Sequence, residues 1–261
     1  EDYTNRGSIV TPLKDRIGSQ ILTHYPETIE VAKTITSQEA AFDGRQSSTI
    51  FIPELAKDIL EQIIFEARKS EFVDVKSGVS ARLSITAFEN LVSTAERRLL
   101  HSGDDKTGIR MSDFIGIIPA ITGKIELVYE GEQEGAHSVA LTLLGGAIKT
   151  LYSKYFPKIE KLEKQGVETP YDEIVSWFFN TSDDFEILDD IQEKDYKIIL
   201  EKVKPLSNFI KKFKEDLQPN EVYFWQEFVL WSLVEYKKLN KYRYAEGIQF
   251  KDPYGSFISG L

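Results

Sequence analysis

Two short stretches place an arginine where a loop should meet a regular element. In Leu13-Lys-Asp-Arg-Ile-Gly18 the Asp-Arg pair and the glycine read as a turn carrying Arg16. In Gly78-Val-Ser-Ala-Arg82 the serine reads as a helix cap, with Arg82 at the start of the helix it opens. Arginine stays charged and offers a planar fork to phosphate oxygens, so two such positions suit the stabilisation of charge developing on a transferred phosphoryl group. Taken singly, each suits a surface ion pair equally well, Arg16 with Glu27 for example. Arg6 is a further cation in the same opening stretch.

Other features invite chemistry and lose it on inspection. Gly145-Gly-Ala-Ile-Lys-Thr150 superficially resembles a phosphate-binding loop, but the position before the lysine, which must be glycine for the backbone to wrap a phosphate, is Ile148. Small residues that let two helices approach closely are the favoured reading there. His24, His101 and His137 stand far apart with no metal-ligand spacing. Asp183, Asp184, Asp189 and Asp190 lack the alternating ligands and glycine of an EF-hand loop and read as a solvated acidic turn, with a loosely bound divalent cation as the alternative. The aromatic stripe from Tyr223 to Trp231 falls at helical spacing and reads as core, with a partner-binding face as the alternative.

Composition narrows the classes. The chain has 261 residues, 41% of them hydrophobic and 12% aromatic, which is enough for one large or two ordinary cored domains. Without a single cysteine there is no thiolate nucleophile, disulfide framework or zinc–cysteine site, and a cytoplasmic location is expected. A formal charge of −10 sets the long-range field against nucleic acid. No apolar run is long enough to span a bilayer, so neither a nucleic-acid nor a membrane partner is expected.

The elements that must position the arginines follow from periodicity. Ser19 to Tyr25 reads as a short strand, and Glu27 to Ala41 as a helix with Ile29, Ala32 and Ile35 on one face. Phe42 to Ser48 reads as a polar connector. A helix opened by Pro53 carries Leu55, Ile59, Ile63 and Ile64, and another runs from Ser84 to Leu100, closed by Gly103. Ser112 reads as the cap of a short helix ending near Gly123. Residues 125–135 are acidic and glycine-punctuated, and form the expected linker. Beyond it helices are expected from Ala136 to Tyr155, over YDEIVSWFF, on either side of Pro205 and from Glu221 to Leu239, with an irregular end. The fold class expected is mainly α with a short α/β part.

In this order the motifs resemble the back half of an AAA+ ATPase of the MoxR and magnesium-chelatase I-subunit group. EDYTNRGSIVTPLKDRIGSQILTHYP is similar to that group's run from the end of sensor 1 through the arginine-finger segment into the last core strand. GVSARLSITAFENLVSTAERR resembles its sensor-2 motif opening a lid helix, and RMSDFIGIIPAI resembles a later lid helix. The resemblance covers about residues 1–135 and gives residues 136–261 no activity. It implies four parts: the end of an α/β core at 1–45, a helical lid at 46–124, the linker at 125–135 and a helical extension at 136–261. It further implies Arg16 as an arginine finger acting on a neighbouring subunit's ATP and Arg82 as sensor 2 in its own subunit, with Arg6 as a lesser candidate for contact across subunits. ATP and Mg²⁺ would be the cofactors of the whole protein, and neither is expected to bind this chain alone, because the Walker A and Walker B motifs and most of sensor 1 are absent from it. The partners implied are neighbouring subunits of a homo-oligomeric ring and a protein with a von Willebrand factor A domain, with remodelling or metal insertion as the outcome. The competing reading is a helical protein-interaction module with no nucleotide chemistry.

Overall fold

The computed structural model describes residues 15–19, 21–159, 169–181 and 184–253. Its first half is built around four helices: α1 (Ile29–Glu39), α2 (Gly44–Thr49), α3 (Glu54–Ala67) and α4 (Ala81–Ser102). Each begins where the sequence supplies a start signal. The Thr28 hydroxyl accepts from Val31 N–H, Asp43 makes a capping box with Gln46, Pro53 precedes Glu54, and the Ser80 hydroxyl accepts from Arg82 N–H. Helix α4 stops at Gly103, whose φ of 74° is the left-handed value that glycine adopts without strain. The apolar stripes of α3 and α4 face each other, with Ile59, Ile63, Leu83, Ala87 and Leu91 fully buried.

Two residues of β1 (Ile50–Phe51) pair in parallel with β2 (Thr107–Gly108), which forms the small α/β part. A 3-10 turn (Met111–Ile117) then runs into α5 (Ile118–Thr122), closed by Gly123. The end matches the expected one, but Ser112 is not the cap. That role falls to Asp113, whose carboxylate accepts from the Arg110 N–H at 2.8 Å.

The linker expected at 125–135 carries α6 (Tyr129–Glu134), and packing continues across it. Helix α7 (Ala136–Tyr155) lies along α3, and one buried apolar cluster runs from Ile50 to Phe250, so lid and extension share a core. The remaining elements are α8 (Asp172–Asn180), β3 (Phe185–Leu188), α9 (Glu193–Lys202), α10 (Lys204–Phe213), α11 (Val222–Glu235), β4 (Asn240–Arg243) and β5 (Gly247–Lys251). Pro205 sits in the first turn of α10 rather than between helices, where its missing N–H costs nothing.

The chain is therefore mainly helical with small sheets, as its periodicity predicts. Two expectations need correction. Among the described residues of Ser19 to Tyr25 there is no strand: Ile21 and Leu22 are each 86% exposed, with no neighbouring strand to satisfy the backbone. The C-terminal region expected to be all-helical holds an antiparallel sheet in the order β3-β5-β4. Part of the expected acidic turn is its strand β3, with Phe185 and Ile187 buried in alternation.

Candidate functional site

The loop that leads into Arg82 is fixed from three sides. The Tyr25 hydroxyl accepts from the Val79 N–H at 3.0 Å, and both Nε and Nη2 of Arg68 donate to the Val79 carbonyl at 3.3 Å. The Arg68 guanidinium lies 4.0 Å from the centre of the Tyr25 ring, so the two groups holding Val79 also hold each other. Burial pulls the Arg68 pKa down, opposed by the Tyr25 and Glu61 charges. Gly78 makes this approach possible. Its φ is +71°, and a Cβ there would fall on the Tyr25 hydroxyl. On the outer side Asp74 accepts from Lys76 N–H at 2.8 Å and Ser77 Oγ at 3.1 Å, and Ser77 also meets Glu126 at 2.5 Å.

The helix that receives Arg82 is tied inward by one carboxylate. Glu61 on α3, 2% exposed, accepts from Thr36 on α1 at 2.6 Å and from Ser84 on α4 at 2.9 Å. Burial pushes the Glu61 pKa up, and the two hydroxyls oppose that shift by stabilising the charged form.

Against this fixed background the candidate arginines are free. Arg82 is exposed in the first turn of α4 and has no ion-pair partner among the described residues. Arg16 is exposed on a turn, and the pair with Glu27 that a purely structural role would use is not formed. No hydrogen bond or ion pair joins Arg16 to Arg82. Arg6 lies outside the described residues.

The alternative sites resolve differently. Gly145 and Gly146 are in mid-helix on α7, where a Cβ at Gly145 would fall on the Glu235 carboxylate and one at Gly146 would sit 3.6 Å from Glu66. Helix approach explains both glycines. Asp184 accepts from Gln249, Asp189 pairs with Arg243 through both oxygens, and Asp190 meets His101, so these carboxylates serve the sheet and α4. Asp183 lies outside the described residues. Phe224, Trp225, Phe228 and Trp231 are buried in the core.

A second polar centre escaped the motif search. Buried Arg98 on α4 holds Asp113 through Nε (3.2 Å) and Nη2 (2.8 Å), and also donates to Thr107 Oγ1 and the Gly108 carbonyl. Arg110 Nη2 reaches Glu193 at 3.2 Å and the Ile191 carbonyl at 3.1 Å, and its guanidinium stacks 4.2 Å from the Tyr196 ring. Glu227 on α11 accepts from Met111 N–H at 2.9 Å and Tyr196 hydroxyl at 2.8 Å. Burial pushes the carboxyl of Glu227 and the phenol of Tyr196 up. This chain of charges joins the lid to α9 and α11. The sequence signal was available: Arg98 falls on the apolar face of α4 beside Leu91 and Ala95, and Glu227 interrupts a run of aromatics.

The described residues contain no group of three or more His, Asp or Glu side chains able to hold a metal ion, and no helix among them is long and apolar enough to cross a membrane. Comparison with known proteins gave no matching family model, curated protein or solved structure.

Proposed function

We propose that this chain is the C-terminal part of an AAA+ ATPase of the MoxR or chelatase type, in which Arg16 acts on nucleotide held by a neighbouring subunit and Arg82 acts on nucleotide in its own. The observation that carries this reading is the contrast at the lid entrance. Tyr25, Arg68, Gly78 and Ser80 fix the backbone leading to α4, while Arg82 itself, like Arg16, is left exposed and without an ion-pair partner. Folding makes no use of either charge, and a guanidinium kept uncommitted at the mouth of a rigid helix is suited to meeting an anion.

The residues present do not by themselves make a nucleotide site. Gly145 to Thr150 lies inside a helix, so no backbone loop is available to wrap phosphates, and Mg²⁺ would depend on groups outside this chain. The chain's own contribution is cationic charge and a lid attached to a large extension. Remodelling of a partner, or metal insertion into one, would follow from movement of that extension.

The test uses subunits that also carry the nucleotide-binding half. Arg16→Ala should lower ATP turnover by ~10³-fold or more with nucleotide binding retained. Mixing Arg16→Ala subunits with subunits lacking the P-loop lysine should restore part of the turnover if the arginine acts across the interface. Full turnover by Arg16→Ala alone would remove the assignment. The interaction-module alternative loses its proposed surface, because the aromatic stripe of α11 is buried.

A further inference from the structure

Between the lid and the extension lies an open cleft of about 370 Å³, within the usual range for small-ligand sites. One wall is the hydroxyl row Ser47, Ser48 and Thr49 at the end of α2, backed by Ile50 and Phe51. The other is Lys197 of α9, with Lys106 and Asn220 completing the rim. Ser48 and Thr49 hydroxyls donate to the Arg45 carbonyl, and Ser47 donates to the Asp43 carbonyl, which leaves oxygen lone pairs on that side.

The charge balance of the cleft is positive. Its one carboxylate, Glu193, is neutralised from behind by Arg110 at 3.2 Å and from beside by Lys197 at 3.3 Å, and it also accepts from Thr107 Oγ1 at 3.1 Å. Arg110 is 1% exposed, and its Nε and Nη1 have no hydrogen-bond partner, so its charge is satisfied chiefly through Glu193, the Ile191 carbonyl and the Tyr196 ring. Lys106 has no ion-pair partner among the described residues. The nearest acid along the chain towards α9, Asp104, is turned away to accept from Glu193 N–H at 2.8 Å and from Ser102. Three cations therefore face one carboxylate in a chain whose net charge is −10.

We infer that this cleft is a binding site for a small phosphate-type anion, held between the Lys106 and Lys197 ammonium groups with the Asn220 amide as a neutral donor. The site is separate from the Arg16 and Arg82 motifs and does not depend on the ATPase reading. Ligand there would bridge the lid strand pair and α9, and would compete with Glu193 for Lys197.

Isothermal titration of the chain with inorganic pyrophosphate, at ionic strength held constant with sodium chloride, tests it. A single site with Kd of ~0.1–1 mM is expected, weakened about tenfold or more in Lys106→Ala/Lys197→Ala. Arg82→Ala should bind as the parent does. No heat up to about 10 mM pyrophosphate, unchanged affinity in the double variant, or lost affinity in Arg82→Ala would each overturn the site.

Discussion

The Tyr25 hydroxyl and the Val79 amide are joined by a 3.0 Å hydrogen bond across 54 positions of sequence. It links the segment that follows Arg16 to the loop that precedes Arg82, and it passes over Gly78, whose backbone no other residue adopts comfortably. Gly78→Ala should therefore combine left-handed strain with a clash at Tyr25, costing about 1–3 kcal/mol. Chemical denaturation measures this, and limited proteolysis should show faster cleavage between Asp74 and Ser80.

Removing the candidate functional charges should not matter to the fold. Arg16→Ala and Arg82→Ala are each expected to leave unfolding free energy within about 0.5 kcal/mol of the parent, because neither side chain has an ion-pair partner. A larger loss in urea titration would assign the residue a structural role.

Arg98 is the opposite case. Arg98→Met leaves Asp113 buried and without its bidentate partner, and should cost roughly 3–5 kcal/mol, whereas adding Asp113→Leu should recover much of that loss. A double-mutant cycle on denaturant midpoints measures the coupling.

Lys241 has its ammonium 3.4 Å from the centre of the Trp231 ring, and burial lowers its pKa to about 8, with Arg243 adding to that effect and Glu235 and Glu227 opposing it. Between pH 8 and the ordinary lysine value of 10.5 the unfolded chain binds more protons than the folded one, so this group makes stability rise with pH. Melting temperatures of the parent and Lys241→Met should differ by an amount that changes in the parent's favour from pH 7 to pH 10, by ~1–2 kcal/mol at most.

Glu227 gives the acid-side counterpart. Burial raises its folded pKa, so its contribution favours folding at low pH and is lost as pH rises through the folded pKa. Relative to Glu227→Gln, the parent should gain stability as pH falls from about 7 to 5.

Helices were legible wherever an apolar stripe coincided with a cap. Thr28, Pro53, Ser80 and Gly103 each mark a real boundary, and α7 begins and ends where periodicity places it. The hairpin β4–β5 was not legible, because its turn is built from Tyr244, Ala245 and Glu246 instead of an Asn-Gly pair and follows directly on an aromatic helix. Ser19 to Tyr25 misled in the other direction: its residues favour a strand, yet pairing depends on neighbours that composition does not reveal. The motif residues Arg16 and Arg82 were visible as sequence. The clamp made by Tyr25 and Arg68, and the charges around Arg110, were not, since both depend on contacts between distant segments.

The core shared by α3 and α7 has a mechanical consequence. Lid and extension cannot slide past one another without opening a continuous interior, so they behave as one stiff arm whose attachment is the short stretch from Ile21 to Thr28. A small turn at that stretch is converted into a larger displacement at β3 and the β4–β5 hairpin. Force would be delivered there by leverage, with no need for a hinge between 125 and 135.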